Sequence, residues 1–162
     1  MNRITLRLLF VFGALFMYVH LNAQVSLVKN GKAKSKIILV DDDIKSQVAA
    51  NLLQDFVQKI SGCQLNIVER QIPHKGDITI GGKVPSLVTE DGFSLSTKDR
   101  ILRISGSGNG TVYGVVTLLE QYLGVAYWGE NECSFNPAKT IELPLIDKID
   151  NPAFRYRQTQ CY

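Results

Sequence analysis

Apolar residues recur along this chain in two rhythms, and the changes between them mark out the elements. From residue 106 to 128, read as GSGNGTVYGVVTLLEQYLGVAYW, a glycine-rich turn gives way to helical spacing. Val112, Val115, Val116, Leu119, Tyr122 and Leu123 form one stripe of a 3.6-residue helix beginning near Thr111. Gly124 supplies a left-handed stop, after which residues 125–128 read as a short buried strand. A second helix is predicted over residues 44–60. Val48, Leu52, Phe56 and Ile60 repeat every four positions, Ala49 and Leu53 fill the adjoining row, and Gly62 closes the helix.

Elsewhere the pattern has the period of strands. Residues 25–28 form a short strand before an Asn30-Gly31 turn, and residues 36–40 (KIILV) a central, mostly buried one. Strands follow at 64–69 and 77–80 (DITI). Residues 92–97 alternate Phe93 and Leu95 with Ser94 and Ser96, turn at Lys98-Asp99-Arg100 and return over 101–105, a hairpin with one solvated face. Past Trp128 the chain is irregular over 129–137, then a strand at 140–143 and an extended segment over 144–150 are expected. Asn151-Pro152 breaks the pattern, and residues 154–162 (FRYRQTQCY) open another strand.

Composition changes this picture at the N-terminus. Arg3 and Arg7 precede an apolar run over residues 8–19, and Ala23 offers a small residue at the end. Residues 1–23 therefore read as a secretory signal peptide, too short in its apolar part to span a bilayer stably. The expected location is periplasmic or extracellular. The formal net charge of +3 includes both leader arginines, so the mature domain is near neutral and carries no basic stripe for nucleic acid. Cys63, Cys133 and Cys161 are an odd set without Cys-x-x-Cys spacing, which leaves their pairing open.

Candidate chemistry is sparse. The glycines at 106, 108 and 110 miss the dinucleotide register in both frames, and no Lys lies between Gly106 and Trp128 for a phosphate loop. A tight strand-to-helix connection is the reading that remains. Asp41-Asp42-Asp43 reads as a helix N-terminus with a capping carboxylate, since the following residues lack the further oxygen ligands of a calcium loop. His74 lies in a Pro-His-Lys-Gly loop, far from any triad or zinc pattern. Neither a metal nor a cofactor is expected. Glu130 and Glu132 are the best carboxylate pair by spacing, though paired loop glutamates are ordinarily just solvated. Tyr127 and Trp128 have the chemistry to stack on a sugar, but their apolar setting predicts burial.

Several motifs together carry a resemblance. The segment 111–128 (TVYGVVTLLEQYLGVAYW) resembles the glycine-tyrosine-glycine helix of domains that precede the catalytic barrel in large secreted glycoside hydrolases. Residues 49–62, DITIGG at 77–82, EDGFSL at 90–95 and NPAFRYR at 151–157 follow in the order expected for that domain type. The domains concerned are the N-terminal domain of family 67 α-glucuronidases and the second domain of family 20 β-hexosaminidases. The resemblance implies an α/β (α+β) fold, a mixed β-sheet with two main helices packed on one face. It divides the chain into the leader 1–23, this domain over 24–150, and a linker with the first strand of a (β/α)8 barrel over 151–162.

On that picture the catalytic carboxylates lie in the barrel, and the domain itself is non-catalytic. Its partners are the barrel and the carbohydrate substrate of the complete protein. Trp128, Glu130 and Glu132 are then candidates for peripheral sugar contact. Gln160, Cys161 and Tyr162, at the C-terminal end of the first barrel strand, would line the pocket. The alternative is a stand-alone carbohydrate-binding or surface interaction module, which needs an exposed aromatic platform.

Overall fold

The computed structural model describes residues 25–128 and 132–153. Strand β1 (Val25–Lys29) turns at Asn30 and Gly31 and returns as β2 (Lys32–Ala33). Both turn residues have positive φ, 52° and 72°, the two-residue hairpin turn that Asn-Gly favours. Strand β3 (Ile37–Leu39) leads into helix α1 (Ile44–Ser61), and β4 (Ile67–Glu69) and β5 (Ile78–Ile80) follow. The hairpin β6 (Phe93–Lys98) and β7 (Ile101–Gly106) delivers the chain to helix α2 (Gly110–Tyr122). Four short strands come after it: β8 (Ala126–Tyr127), β9 (Cys133–Ser134), β10 (Ile141–Leu143) and β11 (Asp147–Asp150).

The main sheet has six strands in the order β11-β6-β7-β5-β3-β4. Pairing is parallel from β7 through β5 and β3 to β4, and antiparallel where β6 meets β7 and β11. Alternation gives the sheet two different faces. Ile37, Leu39, Ile78, Ile80, Leu95, Leu102 and Ile104 point to one side and join a single core cluster with Leu53, Phe56, Val57, Val115, Leu118 and Leu119 of the helices. Both helices therefore cover the same face, as expected. A smaller sheet, β10-β1-β2, adds Val25, Leu27, Ile141 and Leu143 to that cluster.

Both helices turn the predicted stripes to the core, Val48 of α1 and Val116 of α2 apart. In α1 the buried apolar residues are Ala49, Ala50, Leu53, Phe56, Val57 and Ile60, while Val48 is exposed. A strict four-residue row drifts around a 3.6-residue helix, so its first member leaves the core face. In α2 the buried set is Gly110, Thr111, Gly114, Val115, Leu118 and Leu119. Small residues were missed there because they add little hydrophobicity; what they provide is proximity. A Cβ built on Gly114 would lie 3.2 Å from Ile104 and 3.3 Å from Phe93, so this glycine seats the helix on β6 and β7.

The helix ends follow the expected chemistry. Asp43 caps α1, accepting the Lys45 amide at 3.0 Å, and Gly62 stops it at φ 76°. Gly124 ends α2 at φ 70°. Two stretches whose sequence predicts irregular or merely extended chain are paired. Residues 133–134 form a ribbon with β8, and β11 adds a strand to the open side of β6.

Asp41 joins α1 to the sheet. Its carboxylate accepts the Gly82 amide at 2.6 Å and the Asp43 amide at 3.3 Å. Burial alone would raise this carboxyl, but the bonds from Gly82, Ser46 and Asp43 outweigh it and hold the pKa below the ordinary 3.8. A lowered carboxylate stabilises the fold fully above its unfolded value and less as pH falls through its folded one. Asp41→Asn is expected to melt below wild type at neutral pH, with the gap closing as pH drops below about 3.8. A gap of constant size from pH 7 to acid would refute this assignment.

Candidate functional site

The glycine-rich stretch before α2 holds polypeptide, not a phosphate. A Cβ on Gly106 would overlap the backbone of Gly110 and Thr111, and one on Gly110 would overlap the Gly92 carbonyl. Only Gly108 of the three needs a left-handed backbone, at φ 57°. Asp91 fills the place that an anion would take, accepting the Asn109 amide at 2.8 Å. The aspartates before α1 are engaged in the same way: Asp43 caps, Asp41 takes two amides, and Asp42 pairs with Arg70. His74 is exposed, as expected for a loop residue. Its amide donates to the buried Asp77 at 2.8 Å.

Of the residues proposed for sugar contact, Trp128 and Glu132 lie within the described structure; Glu130, Gln160, Cys161 and Tyr162 lie outside it. Trp128 corrects the expectation of burial: its side chain is 74 % exposed. The expected strand is cut short because β8 pairs only through Tyr127. Trp128 donates its amide to the Glu132 carbonyl at 2.8 Å and its indole Nε1 to Ser134 Oγ at 3.0 Å. The indole is thus held in place while its ring meets solvent, and Glu132 is exposed beside it. Tyr127 is also partly exposed and anchors the ribbon, its ring meeting Phe56 edge-on at 5.7 Å. Burial, with Cys133 and Glu120 nearby, pushes its phenol pKa up, so it stays a protonated donor. Cys63 and Cys133 are free thiols packed against the core.

A second concave surface escaped sequence reasoning. On the helix-free face of the main sheet a cleft of about 590 Å³ is lined by Thr79, Ser94, Ser96, Arg103 and Ser105 from the strands. The loops after β4 and β5 contribute Arg70, Pro73, Lys83 and Pro85. The serine alternation of the β6–β7 hairpin had suggested an open solvated face. Instead Ser94 and Ser105 are buried, because those loops line the same recess.

The architecture is that of a mixed α/β sheet with two helices on one side, and its solved likenesses are parts of larger sugar-cleaving enzymes. A β-hexosaminidase of Streptomyces plicatus is similar over 83% of this chain at 18% identity and a TM-score of 0.55, and that similarity covers 24% of the enzyme. A family 20 exo-β-N-acetylglucosaminidase of Vibrio harveyi is similar over 83% at 22% identity and a TM-score of 0.53, covering 18% of its length. A family 20 β-N-acetylhexosaminidase of Streptomyces coelicolor is similar over 82% at 17% identity and a TM-score of 0.52, covering 25%. This chain therefore spans a quarter or less of each of these enzymes. No family model and no curated protein matches the sequence.

Proposed function

We propose that this chain is the non-catalytic N-terminal accessory domain of an exported, polysaccharide-degrading glycoside hydrolase. In this reading residues 1–23 are its leader, and it packs against and shapes a catalytic barrel that follows residue 162. One observation carries the proposal. Most of this chain is similar in fold to a minor part of several hexosaminidases. The described side chains fit a supporting role, since their carboxylates cap helices and fasten loops. The solved likenesses favour a parent of the β-hexosaminidase type, while the α-glucuronidase type rests on the sequence motifs.

Reading the coding DNA past Tyr162 tests the proposal. About 250 residues of alternating strands and helices are expected there. A stop codon directly after Tyr162 would overturn it.

The exposed and tethered Trp128 favours a second reading, a stand-alone carbohydrate-binding module. If it is right, the chain binds N-acetylglucosamine oligomers saturably and Trp128→Ala weakens that binding about tenfold, the size of one lost stacking contact. Calorimetric titration reads this directly. Affinity unchanged by the substitution removes Trp128 from any sugar contact.

A further inference from the structure

The cleft on the helix-free face is lined by strand residues standing in register. Thr79 lies opposite Arg103 across β5 and β7, Arg103 opposite Ser96 across β7 and β6, and Ser105 opposite Ser94. Arg103 is therefore a partly buried residue flanked by hydroxyl-bearing ones, and no ion pair or side-chain hydrogen bond engages it among the described residues. The other charges lining the cleft have the same sign. Arg70 is matched by Asp42, and among the described residues Lys83 has no ion-pair partner and no carboxylate lines the space. A partly buried cation without a counter-charge is an open site for an anion, and the guanidinium fork fits a planar carboxylate or a tetrahedral oxyanion such as a sulfate.

We propose that this cleft binds a saccharide unit carrying a carboxylate or a sulfate ester, with Arg103 receiving the anion. The volume, about 590 Å³, is in the range of small-ligand sites. Thr79, Ser94, Ser96 and Ser105 offer the hydroxyls that neighbouring sugar hydroxyls require. Pro73 and Pro85 supply apolar surface for the sugar's C–H face. The backbone at the mouth is fixed, since Gly82 is tied to Asp41 and both Gly81 and Gly82 hold positive φ. That the anion belongs to a saccharide rests on the hydrolase reading above; that the cleft takes an anion does not.

The test is calorimetric titration of the full chain with trigalacturonate, N-acetylglucosamine 6-sulfate, uncharged N-acetylglucosamine and sodium sulfate, at low and high salt. One of the two acidic sugars is expected to bind saturably, more weakly at high salt, and to lose about tenfold in affinity in Arg103→Gln. Which one binds identifies the anion. Thermal melting checks that Arg103→Gln folds, and Lys83→Glu, on the exposed rim, gives the same reading if it does not. Failure of both acidic sugars, equal binding by sulfate alone, or affinity unchanged in the variants overturns the proposal. Binding by a chain that no barrel follows would leave this inference standing and remove the accessory role. Absence of binding in a protein that does carry a barrel would remove this inference alone.

Discussion

Gly110→Ala is expected to prevent stable folding. The added methyl would coincide with the Gly92 carbonyl, and neither side can yield cheaply. Gly110 opens α2, and Gly92 is held through its own amide to Thr89 at 3.0 Å and through its carbonyl to Ser107 at 3.0 Å. Separating them lifts the helix N-terminus off the β6–β7 hairpin and breaks the Asp91–Asn109 bond with it. Overpacking against mobile side chains costs about 1–3 kcal/mol. Backbone against backbone should cost at least about 3 kcal/mol, a large share of the stability of a domain this size. Gly124→Ala is the control. Nothing lies within 4 Å of its Cβ position, so only the left-handed backbone is penalised, at about 1–2 kcal/mol. Urea denaturation of both variants measures the difference, and equal midpoints would show that the close approach is not what this glycine provides.

Asp77→Ala is expected to cost nearly as much, for a different reason. Asp77 is buried at the start of β5, where one carboxylate oxygen accepts the His74 amide at 2.8 Å and the other the Lys36 amide at 3.2 Å. It fastens the loop before β5 to the entry of β3. Alanine leaves two amides without an acceptor in a partly buried place, a loss of about 3 kcal/mol. Asp77→Asn keeps one acceptor and the shape, and about 1 kcal/mol is expected. Chemical denaturation of the pair decides between this account and a surface role. If alanine and asparagine were equally harmless, the carboxylate would be only a solvated charge.

The elements most legible in the sequence were those whose signal is local. Asp43, Gly62 and Gly124 marked helix ends because capping acts within a turn, Asn30-Gly31 marked a turn without its return strand β2, and the 98–100 turn fixed the β6–β7 hairpin. What stayed hidden depends on pairing between distant residues. The two-residue strand at 133–134 is a strand only because β8 lies opposite, and β11 carries a mostly polar sequence whose partner is some fifty residues earlier. The exposure of Trp128 has the same origin, since an apolar neighbourhood in sequence does not say which side chains of a short ribbon meet solvent. The cleft was half visible. Ser94 and Ser96 marked a polar face, but the loops that enclose it, and the placing of Arg103 between Thr79 and Ser96, belong to the assembled sheet.

The pairing of β1 with β10 sets an order of events during synthesis. Val25 lies opposite Leu143, so the first strand of the domain waits for nearly the last. Until Leu143 has left the ribosome, Val25, Leu27 and Val28 have no sheet neighbour beyond the short β2, and β6 likewise waits for Asp147–Asp150. Contacts so far apart in the chain form slowly, because the intervening loop must close before they contribute anything. A nascent chain halted before Ile141 should thus remain open and sensitive to protease, while one extended past Asp150 can complete both sheets together.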